Sequence, residues 1–185
     1  MGMKWSGAAA VLMAAAAHAE DKGQFQVTPY LGFSNVEVKG RHLEFGDSQG
    51  YDGWTIGLSA GYRTSFGLVA EIGTSASGDL FVGWVTGGEL REDYLAAGYD
   101  LEFGDGWHFT PKAGVTRWTL KAGELEDLVD DSGELRDELD GTDLFGELGL
   151  TRDLGSHAAI GISVRGVGAD FGSAVSAAFR FTWGF

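Results

Sequence analysis

The chain has 185 residues, no cysteine and a net charge of −14. The missing cysteines exclude a disulfide framework and a thiolate metal site or nucleophile. The acidic balance argues against nucleic acid as a partner, because nucleic-acid-binding proteins present basic surfaces.

The first nineteen residues have the pattern of a secretory signal peptide. Lys4 supplies a positive charge, residues 7–17 are apolar, and Ala17-His18-Ala19 forms a small-x-small cleavage site. Eleven apolar residues are too few for a membrane-spanning anchor helix, which needs about 20. We therefore expect cleavage before Glu20, which leaves one domain of residues 20–185 with 12 basic and 27 acidic residues, a net charge of −15.

The rest of the chain alternates apolar and small or polar residues with a period of two, which is typical of half-buried β-strands. In residues 53–63, Trp54, Ile56, Leu58, Ala60 and Tyr62 share one face, and glycine, serine, threonine and arginine occupy the other. The same pattern predicts eight strands near residues 25–33, 53–63, 66–73, 95–103, 107–116, 144–151, 158–165 and 175–185.

The connections between these strands alternate in length. Short turns lie near residues 64, 105 and 154, and long segments cover about 35–52, 74–92 and 119–142, with a shorter one near 168–173. Short and long connections at opposite ends are typical of an antiparallel up-and-down meander. We therefore predict an all-β fold, an eight-stranded transmembrane β-barrel.

The small-residue face decides between a soluble barrel and a membrane barrel. A soluble barrel would place large solvated side chains outside, whereas here the second face is mostly glycine, serine, threonine and alanine. Small residues suit the crowded lumen of an eight-stranded barrel, so we expect the apolar face to contact lipid. Aromatic residues near the ends of that face predict an interfacial girdle, formed by Trp54, Tyr62 and Trp107.

Several charged residues fall on the predicted inner face. Counted from the short turns, Glu71, Lys112, Glu147 and Arg180 lie near one layer, about 13 Å above the rim at 3.3 Å per residue and a 40° tilt. Unpaired charges in a dry interior are costly, so these side chains should pair across the lumen. The network either fills and rigidifies the barrel or acts as a gate whose re-pairing opens a narrow water path. Its predicted members are Glu71, Asp100, Lys112, Glu147, Arg165 and Arg180, with Arg165 higher and Asp100 lower.

These features together resemble a small Gram-negative outer-membrane β-barrel, similar to the transmembrane domain of outer-membrane protein A and to porin-like surface proteins. The resemblance implies that Glu71, Lys112, Glu147 and Arg165 match the lumenal ion network of that family. It also implies that the alternating C-terminal strand is an address for the barrel-assembly machinery, carried by Phe181, Trp183 and Phe185. Because the sequence ends there, we expect no peptidoglycan-binding domain.

Two segments offer candidate binding chemistry. Residues 124–143 hold ten acidic residues and one basic residue, which indicates a solvated surface loop. A calcium site is one alternative, because hard cations prefer carboxylates, although residues 130–134 do not have EF-hand spacing. Bridging through divalent cations to lipopolysaccharide phosphates is another. Residues 79–85 hold an apolar group in a loop, which extends a strand above the membrane, packs over the barrel mouth or marks a contact site.

The sequence predicts a non-enzymatic, monomeric outer-membrane barrel with a structural role in the envelope, which could also form a narrow pore, without cofactor or metal. Its expected partners are outer-membrane lipid, lipopolysaccharide and the assembly machinery. A surface adhesin or antigen acting through its loops is one alternative. A lipid A-modifying enzyme is another, disfavoured because His42, His108 and His157 form no His-x-Ser arrangement on a strand's outer face.

Overall fold

The computed structural model describes residues 23–44, 46–78, 89–121, 128–130 and 132–185. The predicted signal peptide and the apolar segment 79–85 lie outside these residues. No helix in the described ranges is long and apolar enough to cross a membrane.

Eight antiparallel strands close into a barrel, which confirms the predicted fold. Each strand pairs with its neighbours in sequence, and the last pairs with the first. The strands are β1 (Gln24–Val38), β2 (Gln49–Arg63), β3 (Leu68–Gly78), β4 (Glu89–Tyr99, continued by Leu101–Phe103), β5 (Trp107–Lys121), β6 (Glu138–Asp153), β7 (Ala158–Gly168) and β8 (Gly172–Gly184).

The apolar face points outward, as its pattern predicts. Leu58 and Ile162 are half exposed on the outside, whereas Thr55 and Ser59 are buried in the lumen. The outward apolar residues of β5 run from Trp107 to Val115, a height of about 20 Å at 3.3 Å per residue and a 40° tilt. This band matches the lipid-facing belt of a transmembrane barrel.

The strands continue past this belt, so the connections at this end are shorter than the sequence predicted. β1 extends to Val38 and β2 begins at Gln49, which leaves residues 39–48 as the connection. In this extension the two faces exchange polarity: Asn35 and Glu37 point outward, whereas Val36 and Val38 are fully buried inside. The outer face contacts water there, and the inner face becomes the core.

The apolar core therefore lies in the long-loop half of the barrel, a position that the alternating pattern within the belt did not predict. Three connections converge on it. Leu43 from the first loop bridges to Leu128 of the third, and the backbone N–H of Lys39 donates to the carbonyl of Phe171 in the fourth. The core includes Val36, Val38, Leu90, Trp118, Leu120 and Phe171, all at most 4% exposed.

Candidate functional site: a charged lumen beneath an apolar plug

The centre of the lumenal ion network is Glu147. On β6 it lies directly opposite Lys112 of β5 and Arg165 of β7. Its Oε2 accepts hydrogen bonds from Nε and Nη2 of Arg165 at 3.1 and 2.9 Å, and its Oε1 pairs with both Lys112 and Arg180. One carboxylate thus links three cations from the neighbouring strands and from β8.

Glu71 closes the network from the other side of the barrel. Its Oε2 lies 2.9 Å from Nζ of Lys112, and its Oε1 lies 3.2 Å from Nη2 of Arg180. The five charged side chains, including those of Glu147 and Arg165, are at least nine-tenths buried. Such close pairing is needed here, because burying a charge costs on the order of several kcal/mol unless well-placed opposite charges and hydrogen bonds compensate it.

Two tyrosines complete the network, and neither was predicted. The hydroxyl of Tyr94 donates to Oε1 of Glu71 at 2.9 Å, and the Arg165 guanidinium lies 3.8 Å from the centre of the same ring. The ring fits because Gly73 faces it on β3: a Cβ there would lie 2.5 Å from the ring. Tyr30 lies over Gly57 of β2 in the same way. These inward glycines make room for the aromatic rings.

A further buried carboxylate, Glu92, balances the charge. Glu71 and Glu147 face three cations, which leaves one positive charge in excess. Glu92 lies higher in the lumen, accepts hydrogen bonds from Ser75 at 3.1 Å and Thr116 at 3.4 Å, and is close enough to Arg165 for an electrostatic interaction. Glu92 was not predicted to face the lumen, because the apolar pattern predicted that β4 begins at residue 95. Extending the same alternation backward would have placed Glu92 inside.

Asp100 is separate from this network, contrary to its predicted place in it. It lies at the short-turn end, where its Oδ2 pairs with Nη1 of Arg63 and with Nδ1 of His108, both at 2.9 Å. His108 also contacts Asp153 through Nε2 at 3.2 Å. Asp100 follows the regular part of β4, so its carboxylate meets the rim residues of β2 and β5 rather than the layer above.

The lumen is open below the network and filled above it. A cavity of about 90 Å³ faces the short-turn end, and its lining includes Gln24, Asp100, Glu71, Lys112 and Arg180. Toward the long loops, the apolar core occupies the interior. Among the described residues, no group of three or more histidine, aspartate or glutamate side chains could hold a metal ion.

His42 connects the loops over this core. Its ring is buried, with Nδ1 3.1 Å from the carbonyl oxygen of Val129 and Nε2 3.1 Å from that of Asp170. Lys39 reaches the same fourth loop, with Nζ 3.2 Å from the carbonyl oxygen of Ala169. The first, third and fourth loops therefore form one packed cap. We call this cap, together with the core beneath it, the apolar plug.

The acidic segment 124–143 is less of a loop than predicted. Residues 138–143 already belong to β6, and Leu128–Val129 pairs with Leu135–Arg136 in a short ribbon. At its turn, Asp130 accepts hydrogen bonds from Ser132, from the Glu134 backbone N–H and from Arg136, which together hold the pKa of its carboxyl well below the usual range. Asp130 is thus committed to the turn.

The predicted girdle and C-terminal residues all lie on the outer surface. Trp54 stacks against Phe33 below the long loops with ring centres 4.1 Å apart, and Tyr62 packs on Phe25 at the short-turn end. Trp107 lies at that end beneath the guanidinium of Arg152. The C-terminal aromatic residues are between 41% and 71% exposed in alternate positions: Phe181, Trp183 and Phe185.

A closed barrel with an apolar exterior and a charged interior defines a transmembrane β-barrel protein of the outer-membrane type. The chain belongs to the outer membrane protein beta-barrel domain family, whose sequence model matches residues 6–184. This membership confirms the resemblance and places the protein in the outer membrane. A comparison with curated protein sequences finds no match.

Solved outer-membrane barrels share the fold at low sequence identity. Neisserial surface protein A superposes with a TM-score of 0.62 at 11% identity, covering 88% of this chain and 97% of its own. Ail, the attachment invasion locus protein of Yersinia pestis, in complex with the heparin analogue sucrose octasulfate, gives 0.59 at 12% identity, with coverage of 88% and 99%. The N-terminal β-barrel domain of OprF from Pseudomonas aeruginosa gives 0.51 at 16% identity, with coverage of 86% and 97%.

Proposed function

We propose that the protein is a closed, non-enzymatic barrel that stabilises the outer membrane and does not conduct ions. The observation that carries this proposal is the double obstruction of the lumen. Five paired charges cross it, and the apolar plug fills the space between these charges and the long loops. Re-pairing of the ion network alone would leave the plug in place.

Planar-bilayer recording tests the absence of conduction. We expect no single-channel steps from the wild type or from Glu71→Ala, because the apolar plug remains in both. A general porin added to the same bilayer serves as the positive control. Reproducible steps from the wild type would contradict a closed barrel, and steps from Glu71→Ala alone would identify the ion network as the gate.

Deletion of the gene tests the structural role in the envelope. We expect the deletion strain to be more sensitive to detergent and to large antibiotics that an intact outer membrane excludes. Wild-type protein should restore resistance, and so should a variant with residues 130–136 replaced by glycine and serine, since that turn lies outside the barrel. Unchanged sensitivity of the deletion strain would contradict this role.

Adhesion is the second candidate, favoured by the packed first, third and fourth loops, because a preorganised surface lowers the entropic cost of binding. Ail binds a heparin analogue, which is a polyanion. The outer extension of this barrel exposes acidic residues, Glu37, Asp52, Glu138 and Asp140, together with basic residues, Arg91, Arg117 and Lys121, so its charge does not select a polyanion. A cell-adhesion assay separates adhesion from a purely structural role. It compares how well bacteria with the wild-type protein and bacteria with the 130–136 replacement bind to host cells, and only an adhesin should lose binding in the replacement.

A lipid A-modifying activity has little support in the histidine environments. Nδ1 of His42 faces the carbonyl oxygen of Val129, Nε2 of His42 accepts a hydrogen bond from Nε of Arg41 at 3.0 Å, and both nitrogens of His108 face carboxylates. Neither ring has a nitrogen left to activate a nucleophile. We expect identical lipid A mass spectra from cells with and without the protein. A mass shift that requires the protein would overturn the non-enzymatic assignment.

A further inference from the structure

A diagonal furrow runs across the lipid-facing surface of the barrel. It lies between two rows of outward side chains that follow the hydrogen-bonding direction from strand to strand. In the lower row Arg152 faces Ile160, which faces Phe181; in the upper row Leu150 faces Ile162, which faces Phe179. The space between the rows is about 860 Å³ and almost wholly apolar in its lining.

The furrow climbs as it crosses the strands, because the strands are tilted. It begins at Trp107 on β5, beside the short turns, and continues past Phe179 to Leu31 on β1 and Ile56 on β2. The furrow crosses six strands, and the five intervals between them, at about 4.8 Å each, give a length of about 24 Å. One leaflet of a bilayer core is about 15 Å thick, so the furrow is long enough to hold one acyl chain of that leaflet along its whole length.

The positively charged side chain of Arg152 lies at the lower end of the furrow. The guanidinium of Arg152 lies 5.6 Å from the ring centre of Trp107, which orients it at the edge of the apolar belt. Arg152 forms no ion pair or hydrogen bond with any residue that the structure describes. The adjacent Asp153 points inward and pairs with His108. An exposed arginine without an anionic partner, next to a tryptophan at the membrane boundary, complements a phosphate group.

We propose that this furrow is a binding site for a single phospholipid of the leaflet at the short-turn side. Its phosphate binds Arg152 beside Trp107, and one acyl chain lies between the rows of Ile160 and Ile162. The site selects an anionic headgroup, because no acidic side chain of the described residues neutralises Arg152. It depends on the outward orientation of the apolar face and does not depend on the proposed structural role.

Native mass spectrometry of the full barrel in detergent tests the site with phosphatidylglycerol as the probe. We expect the wild type to retain one phosphatidylglycerol and to bind phosphatidylcholine of the same chain length more weakly. Arg152→Gln should weaken phosphatidylglycerol binding by about tenfold or more, since it removes charge-assisted hydrogen bonds. The matched control is Arg117→Gln, an exposed, outward arginine at the long-loop end of β5, which should bind like the wild type.

Two further measurements separate the contribution of the apolar furrow from that of Arg152. Ile162→Trp, which fills the furrow above Arg152, should weaken binding of both lipids, and soluble glycerol phosphate should not bind. Heat-modifiable gel migration establishes that each variant is folded. Equal binding by wild type and Arg152→Gln would overturn the proposal, as would an equal loss in Arg117→Gln. Tight binding of glycerol phosphate would show that the furrow takes no part.

Discussion

Lys112 and Glu71 belong to strands that are not neighbours, yet their side chains meet across β4 with 2.9 Å between Nζ and Oε2. Gly98 makes this crossing possible, because it faces Lys112 on β4 and a Cβ there would lie 2.5 Å from Cγ of Lys112. The lysine side chain therefore lies flat across the intervening strand. Ion pairs of this kind tie together parts of the barrel wall that share no backbone hydrogen bonds.

Loss of Glu147 should destabilise the barrel more than loss of any exposed acidic residue. Glu147→Gln leaves Lys112, Arg165 and Arg180 to share Glu71 and Glu92 in a buried space. Removing one partner of a buried ion pair typically lowers the free energy of unfolding by about 3–5 kcal/mol. Urea unfolding in detergent or lipid measures it. Glu37→Gln, on the exposed outer face, is the control and should change stability by less than about 0.5 kcal/mol; equal effects would mean that the network adds no stability.

A side chain at Gly73 should displace Tyr94 from Glu71. The Cβ of Gly73→Ala would lie 2.5 Å from the hydroxyl and Cζ of Tyr94, so we expect a loss of about 1–3 kcal/mol in unfolding free energy from overpacking. Gly166→Ala on β7 is the matched control, because a Cβ there meets nothing within 4 Å. If both variants unfold at the same urea concentration, the ring does not depend on the space above Gly73.

Spin labels should detect the exchange of polarity along the outer face of β1. A label at Phe33 should be accessible to oxygen dissolved in the hydrocarbon core. A label at Glu37, four residues further on the same face, should be accessible to a water-soluble nickel reagent. Labels at Leu58 and Ile162 should resemble that at Phe33, and an inward label at Ser59 should be protected from the lipid. Water exposure at Leu58 and Ile162 would place the apolar face inside the barrel.

Truncation of His42 should loosen the cap without unfolding the barrel. His42→Ala removes the ring that contacts the carbonyl oxygens of Val129 and Asp170. We expect faster amide hydrogen exchange in residues 128–136 and 169–172 and an unchanged rate in β6 and β7. His157→Ala, in an exposed turn at the opposite end, should leave all of these rates unchanged. Unaltered exchange in His42→Ala would show that the apolar contacts alone hold the loops together.

Sequence periodicity predicted the strands and their inner and outer faces because side chains alternate strictly across a β-strand. Within the belt the faces differ sharply in polarity, so Glu71, Lys112, Glu147, Arg165 and Arg180 could all be placed inside. Above the belt the faces exchange polarity. The apolar pattern used for prediction ended there, and the upper parts of β1 and β4, with Val36 and Glu92, were therefore taken as loop.

The sequence by itself determined the alternation, the outward apolar belt and the set of charges available to the lumen, since these depend only on the order of residues along each strand. Only the tertiary structure decided which charges meet, because barrel closure and the stagger between strands bring Glu71 of β3 next to Lys112 of β5 and Arg180 of β8. The same stagger places Asp100 beside His108 at the rim. Convergence of three separate loops on Leu43, Leu128 and Phe171 likewise required the closed barrel, because no local pattern couples segments so distant in sequence.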